Sequence, residues 1–467
     1  MHYPTSLLIW AIALLFPAYW VSAIDHTPFF WDTVQLASKH AHFFYENGLQ
    51  WSALPSNIDS GHPPLLGYYL ALCWSVFGKS LWVSHWAIYP FLVGLVYQII
   101  KIGQYVAGAW GWFLLPMLWL DAVTAGQSVL VSPDIILLFG LLLAINGALY
   151  KQRIYSVLGG ILICAISMRG MMCAAALAFW LFFIANGSIL QKAKAVWPIL
   201  PGAIFGLIFL IWHYKATGWV GHFEGSTWSA AFQRVDGKGL LRNVVILAWR
   251  WLDLNRFLVW FLVVFLFFRI GKRNFWSHNR SVFILFLCLG FFLTPSALIY
   301  QNLSAHRYFL PIFAVLHVLA LTMIVQCNIS DIKKTILLTS LVIAIAAGNF
   351  WVYPRGVSMD WDSTLAHLPY HNLRAKAMNY IKDQHIDLQT VGTSFPNLNT
   401  GEHLLLNGDS RLMSAIDFQK NQWVLASNVL NDIDEPEYAE LAAHWHLVQR
   451  WEQGMVWFEL YQKGAKQ

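Results

Sequence analysis

SPDIILLFGLLLAING, residues 132–147, opens with a helix-start signal and runs directly into apolar sequence. Ser132 suits an N-cap, Pro133 the first helical position, and Asp134 the positive end of the helix dipole. Almost nothing polar follows until Asn146, the pattern of a helix surrounded on all sides by lipid or protein. Comparable runs lie on both sides, at residues 7–24, 64–78, 81–100, 195–214, 251–269, 281–300, 308–326 and 335–353. A helix needs roughly 20 mostly apolar residues to cross a bilayer, and about eleven to thirteen spans fit that rule here. Two regions are irregular. Residues 109–132 fit either one long or two short helices, and residues 154–186 exceed one span and are broken by Arg169-Gly170.

Composition agrees with this pattern. Hydrophobic residues make up 58% and charged residues 12% of the chain, with a mean hydropathy of +0.51. A soluble chain of this length would need more charge to cover its surface. The 25 Trp and 18 Tyr suit membrane–water boundaries. The first apolar run lacks a basic flank and a small-residue cleavage site, so it reads as an uncleaved span. The five cysteines are odd in number and lack metal-ligand spacing, which argues for small buried residues and against disulfides. The expected fold is an all-α polytopic membrane protein over residues 1–353. Its first external loop, residues 25–62, carries an interfacial helix. After Tyr353 the hydropathy falls, and residues 354–467 read as a small α/β unit, with a helix over 373–382 and strands over 390–394, 423–427 and 456–462.

Lys and Arg in short loops orient such a chain. Lys151/Arg153, Lys192/Lys194, Arg269/Lys272/Arg273/Arg280 and Lys333/Lys334 mark cytoplasmic turns. The Arg169 turn and the residue 354–467 unit then face outward; the expected location is a plasma (inner) membrane, of bacterial type. Residues 215–250 must also be external, although they hold Arg234, Lys238, Arg242 and Arg250.

The unusual residues sit at the outer ends of the spans. Asp32 lies in Phe30-Trp31-Asp32-Thr33-Val34-Gln35, ahead of an amphipathic stretch whose Val34, Ala37, Ala41 and Phe44 share a face. Asp32 with Gln35 fits a capping box, and Gly48 fits the helix stop. His62 lies in Ser60-Gly61-His62-Pro63-Pro64-Leu65, where the proline pair already starts the next helix without it. Asp134 opens a span at the same boundary. Arg169 divides two short spans, where a charge is a functional candidate.

Taken in order, Asp32, the loop helix, His62-Pro63-Pro64-Leu65, Ser132-Pro133-Asp134, Arg169-Gly170 and His306-Arg307-Tyr308-Phe309-Leu310-Pro311 resemble the GT-C glycosyltransferases. The similarity covers roughly residues 1–325 and is greatest to protein O-mannosyltransferases and the bacterial lipid A aminoarabinose transferase; the aminoarabinose branch has a Lys-Pro pair where this chain has His62-Pro63. The resemblance implies a polyprenyl-phosphate sugar donor and inverting transfer on the extracytoplasmic face to a lipid, glycan or protein acceptor. It implies Asp32 as the base, with Asp134 orienting the acceptor, and His62, Arg169 and Arg307 binding the donor phosphate. A divalent metal ion on Asp32, Asp134 and His62 belongs to the same expectation. Membrane lipids are the expected surroundings, and nucleic acid is not an expected partner. A glycan polymerase or ligase would leave His62-Pro63-Pro64-Leu65 unexplained. A secondary transporter would show internal repeats and midplane charges, and neither is present in the sequence.

Overall fold

The structure is a computed structural model that describes residues 3–226, 228–354 and 357–464. Among the described residues, four helical stretches are long and apolar enough to cross a membrane unaided: Leu81–Trp119, Ile189–Thr217, Lys272–Ile299 and His306–Gln326. Four shorter apolar helices, Ser6–Ser22, Leu65–Phe77, Arg153–Ile166 and Met168–Ile184, stand with them. Two further stretches reach spanning length only as bent pairs. Ala122–Ser128 meets Pro133–Leu149 at 117°, and Gly237–Leu252 meets Arg256–Ile270 at 86°.

These breaks have local causes. Asp121 caps Val123 N–H at 3.0 Å, starting Ala122–Ser128 afresh after Trp119, and Pro133 then begins the next helix with Ser132 accepting from Asp134 N–H at 3.1 Å. The stretch over 109–132 takes the second of the expected forms, two short helices. Leu114–Trp119 follows the Leu81–Ala107 helix through a tight turn, and Ala122–Ser128 adds about two turns before the bend. At 154–186 the break falls at Ser167, whose hydroxyl caps Gly170 N–H at 3.0 Å and places Arg169 in the first turn of Met168–Ile184.

Leu310–Gln326 is the hub. Every residue from Leu310 to Ile324 is buried, as expected of a helix apolar on all faces. All five cysteines are free. In the first loop, Val34, Ala37, Ala41 and Phe44 are buried together as expected. The capping box is not formed: the turn starts as a π-helix over Val34–Lys39 with no side-chain cap, and Gln35 instead reaches Asn57 O. The Asp32 carboxylate is drawn away to an arginine described below, which leaves the cap unmade.

The tail holds the expected helix as Pro369–Asp383 and the expected strands as β1 Val391–Thr393, β3 Trp423–Ser427 and β5 Val456–Lys463. It adds β2 Ser414–Ala415, β4 Trp445–Gln453 and the helix Glu435–His444. The sheet order is β2-β1-β3-β5-β4; β1 lies parallel to both neighbours, and β3, β5 and β4 are antiparallel. Its core is shared with the membrane part, because Phe30, Trp31, Val129 and Leu130 pack with Tyr370, Leu373, Leu425 and Phe458. Phe30 stacks on His367 at 4.6 Å, and Phe29 N–H donates to Leu404 O at 2.9 Å.

Candidate active site

Arg307 lies in the tight turn His306–Phe309 that opens the hub helix, and its side chain is almost wholly buried. Its guanidinium is paired with the carboxylates of Asp32 and Asp362, and its Nε lies 3.6 Å from Asp134. Arg169 completes the cluster at 2.7 Å from Asp134, with its guanidinium 4.4 Å from the centre of the Tyr308 ring. Four segments distant in sequence thus converge: the first loop, the start of Pro133–Leu149, the start of Met168–Ile184 and the start of the hub helix.

The fifth member, Asp362, comes from the head of the tail. The tail can reach this depth because Gly126 has no side chain. A Cβ there would stand 2.6 Å from Thr364 N and 2.7 Å from Asp362 O. Gln127 Nε2 donates to Asp362 O at 2.9 Å and to its carboxylate at 3.3 Å, fixing the segment to the Ala122–Ser128 helix.

Three carboxylates face two guanidiniums here, so the cluster carries one surplus negative charge when all are ionised. Burial pushes the Asp362 carboxyl up to about 6, Arg307 opposes the rise, and Asp360 and Asp32 add to it. Beside the cluster, Trp31 holds a left-handed backbone (φ 55°) immediately before Asp32. That conformation costs an L-residue roughly 1–2 kcal/mol. Packing of the indole edge-on against Phe395 at 4.8 Å holds it in place.

His62 flanks the cluster in a cleft that it shares with His40, Ser60, Pro133, Ser167 and Arg169. Its Nδ1 accepts Met168 N–H at 3.4 Å, which leaves the hydrogen of the neutral ring on Nε2. Burial, then the charges of Arg169, His40 and Arg307, push the imidazole down to about 3. It is therefore a neutral hydrogen-bond donor at physiological pH and not a cation. The loop carrying it is anchored through Asp59, which takes Gly61 N–H at 2.8 Å and pairs with His213 Nε2 at 2.9 Å. Gly61 sits at φ 72°, and a Cβ there would collide with Gly221 O.

A second buried assembly lies next to the first. Both ring nitrogens of His306 lie 2.8 Å from carboxylates, Nδ1 from Asp360 and Nε2 from Asp253. Asp360 also accepts His306 N–H at 3.0 Å and lies 3.7 Å from Arg250. Burial raises the Asp360 carboxyl, but Arg250 and His306 outweigh it and hold the group well below its ordinary range. Deeper in the bundle, Arg256 makes two bonds to Asp121, at 2.9 and 3.0 Å, and lies over the Phe313 ring at 3.9 Å.

The sequence-derived candidates Asp32, Asp134, Arg169 and Arg307 are therefore brought together, with His62 at the rim. Asp362, Asp360, Asp253 and Arg256 were missed; the available signal was the acidic pair in Met359-Asp360-Trp361-Asp362, which matches the basic pair His306-Arg307. Among the described residues, the three His or carboxylate ligand atoms that lie within 4.8 Å of one another are those of His42, Glu46 and Glu402, and not those of Asp32, Asp134 and His62. Arg307 and Arg169 already hold the two aspartates.

No family model matches the sequence, and no match was found among curated proteins. Among solved structures, ArnT from Cupriavidus metallidurans bound to undecaprenyl phosphate is similar, with a TM-score of 0.54 at 11% identity over 98% of both chains. The apo state of the same protein aligns with a TM-score of 0.48 at 10% identity, over 98% of this chain and 96% of that one. The first of these shows the fold, a polytopic helical bundle like that of ArnT carrying a small C-terminal domain.

Proposed function

We propose that this chain is an inverting membrane glycosyltransferase that moves a sugar from a polyprenyl-phosphate donor to an acceptor on the extracytoplasmic face. The observation that carries the reading is the pair of arginines, Arg169 half-buried and Arg307 buried, shared among Asp32, Asp134 and Asp362 beside the His62 cleft. The similar fold was crystallised with undecaprenyl phosphate, which supports a lipid phosphate as the ligand.

In this reading the donor phosphate competes with the carboxylates for Arg169 and Arg307, because guanidinium binds phosphate through paired hydrogen bonds. The neutral His62 adds a donor from Nε2. As Arg307 turns to phosphate, Asp32 is released to accept the proton of the acceptor hydroxyl. The acceptor oxygen then bonds to the anomeric carbon from the face opposite the leaving group. The carbon–oxygen bond to phosphate breaks, and its electron pair leaves with the lipid phosphate, whose added charge the two arginines stabilise. Asp134, held by Arg169, orients the acceptor. A lipid, a glycan and a protein hydroxyl all suit this chemistry.

The test is transfer in proteoliposomes with a panel of synthetic polyprenyl-phosphate sugars, reading product and anomeric configuration. The expected result is an inverted product from one of the donors. Retention of configuration would contradict direct displacement, and transfer from nucleotide sugars alone would contradict the lipid donor.

A further inference from the structure

The junction between the first-loop helix and the tail holds a second group of side chains that the transfer chemistry does not use. His40–Glu46 carries His42 and Glu46 one helical turn apart, on one face, and Gly401–Leu405 of the tail brings Glu402 against them. One ligand atom from each lies within 4.8 Å of the other two.

His42 is only 3% exposed, and its Nε2 is buried without a hydrogen-bond partner. Its Nδ1 lies 2.9 Å from the Ser38 carbonyl and so carries the hydrogen, which leaves the Nε2 lone pair free. A backbone carbonyl that fixes the tautomer in this way is the usual support behind a metal-bound imidazole. A buried ring nitrogen with no partner is otherwise a cost, since lost hydrogen bonding is not repaid. The elements on either side are already tied together, by Ser38 Oγ to His403 O at 2.7 Å and by edge-on packing of His42 against His403 at 4.9 Å.

We infer that His42, Glu46 and Glu402 form a divalent-metal site, of zinc type, that clamps the tail onto the first-loop helix. One imidazole and two carboxylates suit a zinc-like ion, with a water in the fourth position. Ligand atoms around a tetrahedral ion at zinc distances stand roughly 3.4 Å apart, so side-chain rotation alone closes the set. The cation now near the group is Lys79, whose Nζ lies 3.8 Å from Glu402. It competes with the ion for that carboxylate. The site is independent of the proposed transfer reaction, because none of its ligands belongs to the Arg307 cluster.

The experiment uses the full-length protein in detergent, stripped with a chelator and titrated with Zn2+ against a chromophoric competitor. The expected result is one equivalent bound by the wild type, with affinity lowered at least tenfold in E46Q and in E402Q and raised in K79Q. Glu46 is exposed and Glu402 half-buried, so these variants spare the core, unlike His42→Ala. D32N should bind Zn2+ like the wild type. Absence of binding by the wild type, or equal binding by the wild type, E46Q and E402Q, would overturn the site. So would loss of the ion in D32N with retention in E402Q, which would place it in the transfer cluster.

Discussion

His306 and Arg307 are neighbours in sequence, and each reaches an aspartate of the same short segment, Asp360 for the first and Asp362 for the second. Their surroundings differ in kind. Around His306 the groups are held pair by pair: both ring nitrogens bond to carboxylates, Asp360 is engaged three ways, and Arg256 closes on Asp121 with two bonds. Around Arg307 a single guanidinium is shared among three carboxylates, and a small cleft lies beside His62. A closed ionic network fixes tail, the Ala122–Ser128 helix and hub to one another. In the other, a phosphate can displace a carboxylate from a guanidinium that none of them holds alone. Position along the chain does not distinguish the two; the way their arginines are engaged does.

Substitutions in the two assemblies should therefore fail in different ways. Asp32→Asn should lower transfer about 10²–10⁴-fold, the range for losing a general base, while the folded protein and its melting temperature persist. Activity and thermal unfolding measured on the same preparation check this, and unfolding of D32N would merge the two assemblies into one structural role. Arg256→Leu should do the reverse. It strands Asp121 in the bundle and should cost about 3–5 kcal/mol of stability, read from unfolding in detergent. The double variant D121L/R256L should recover most of that loss.

How far the sequence leads can be judged from the same residues. Asp134 and Arg169 were found because each opens or breaks an apolar run, Asp32 and His62 because they punctuate the first loop, and Arg307 through the resemblance of its motif. Ser132 and Pro133 mark their helix start through chemistry that acts within three residues. Asp362 escaped because its role depends on Gly126 being empty enough to admit the tail, a contact between positions more than two hundred residues apart. The capping box at Asp32 and Gln35 was locally sound and lost to a long-range ion pair. The helix over 122–128 passes for part of a span only together with Pro133–Leu149, so hydropathy along the chain did not reveal the 117° bend between them.

A subtler contrast lies in pH. The Asp362 carboxyl is raised from 3.8 to about 6 in the folded protein, so the folded state holds its proton more tightly than the unfolded chain. The stability it contributes is complete below about pH 3.8 and is lost as pH rises through about 6. Compared with D362N, wild-type stability should therefore fall between pH 4 and 6 and then run parallel above. Thermal melts across that range check it, and parallel curves throughout would remove the surplus-charge argument. The smallest expected effect belongs to Ser132→Ala, which removes one cap and should cost about 1 kcal/mol in the same unfolding assay.

The central claim is that the Arg307 assembly is built to take a lipid phosphate. The most direct measurement is saturable binding of undecaprenyl phosphate to the purified protein, compared among the wild type, R169A, R307A and the lysine exchange R307K. The account predicts binding by the wild type that weakens at least tenfold in R169A and R307A, with partial recovery in R307K because the charge returns without the paired donors. Equal affinity in all four proteins, or none in the wild type, would contradict it.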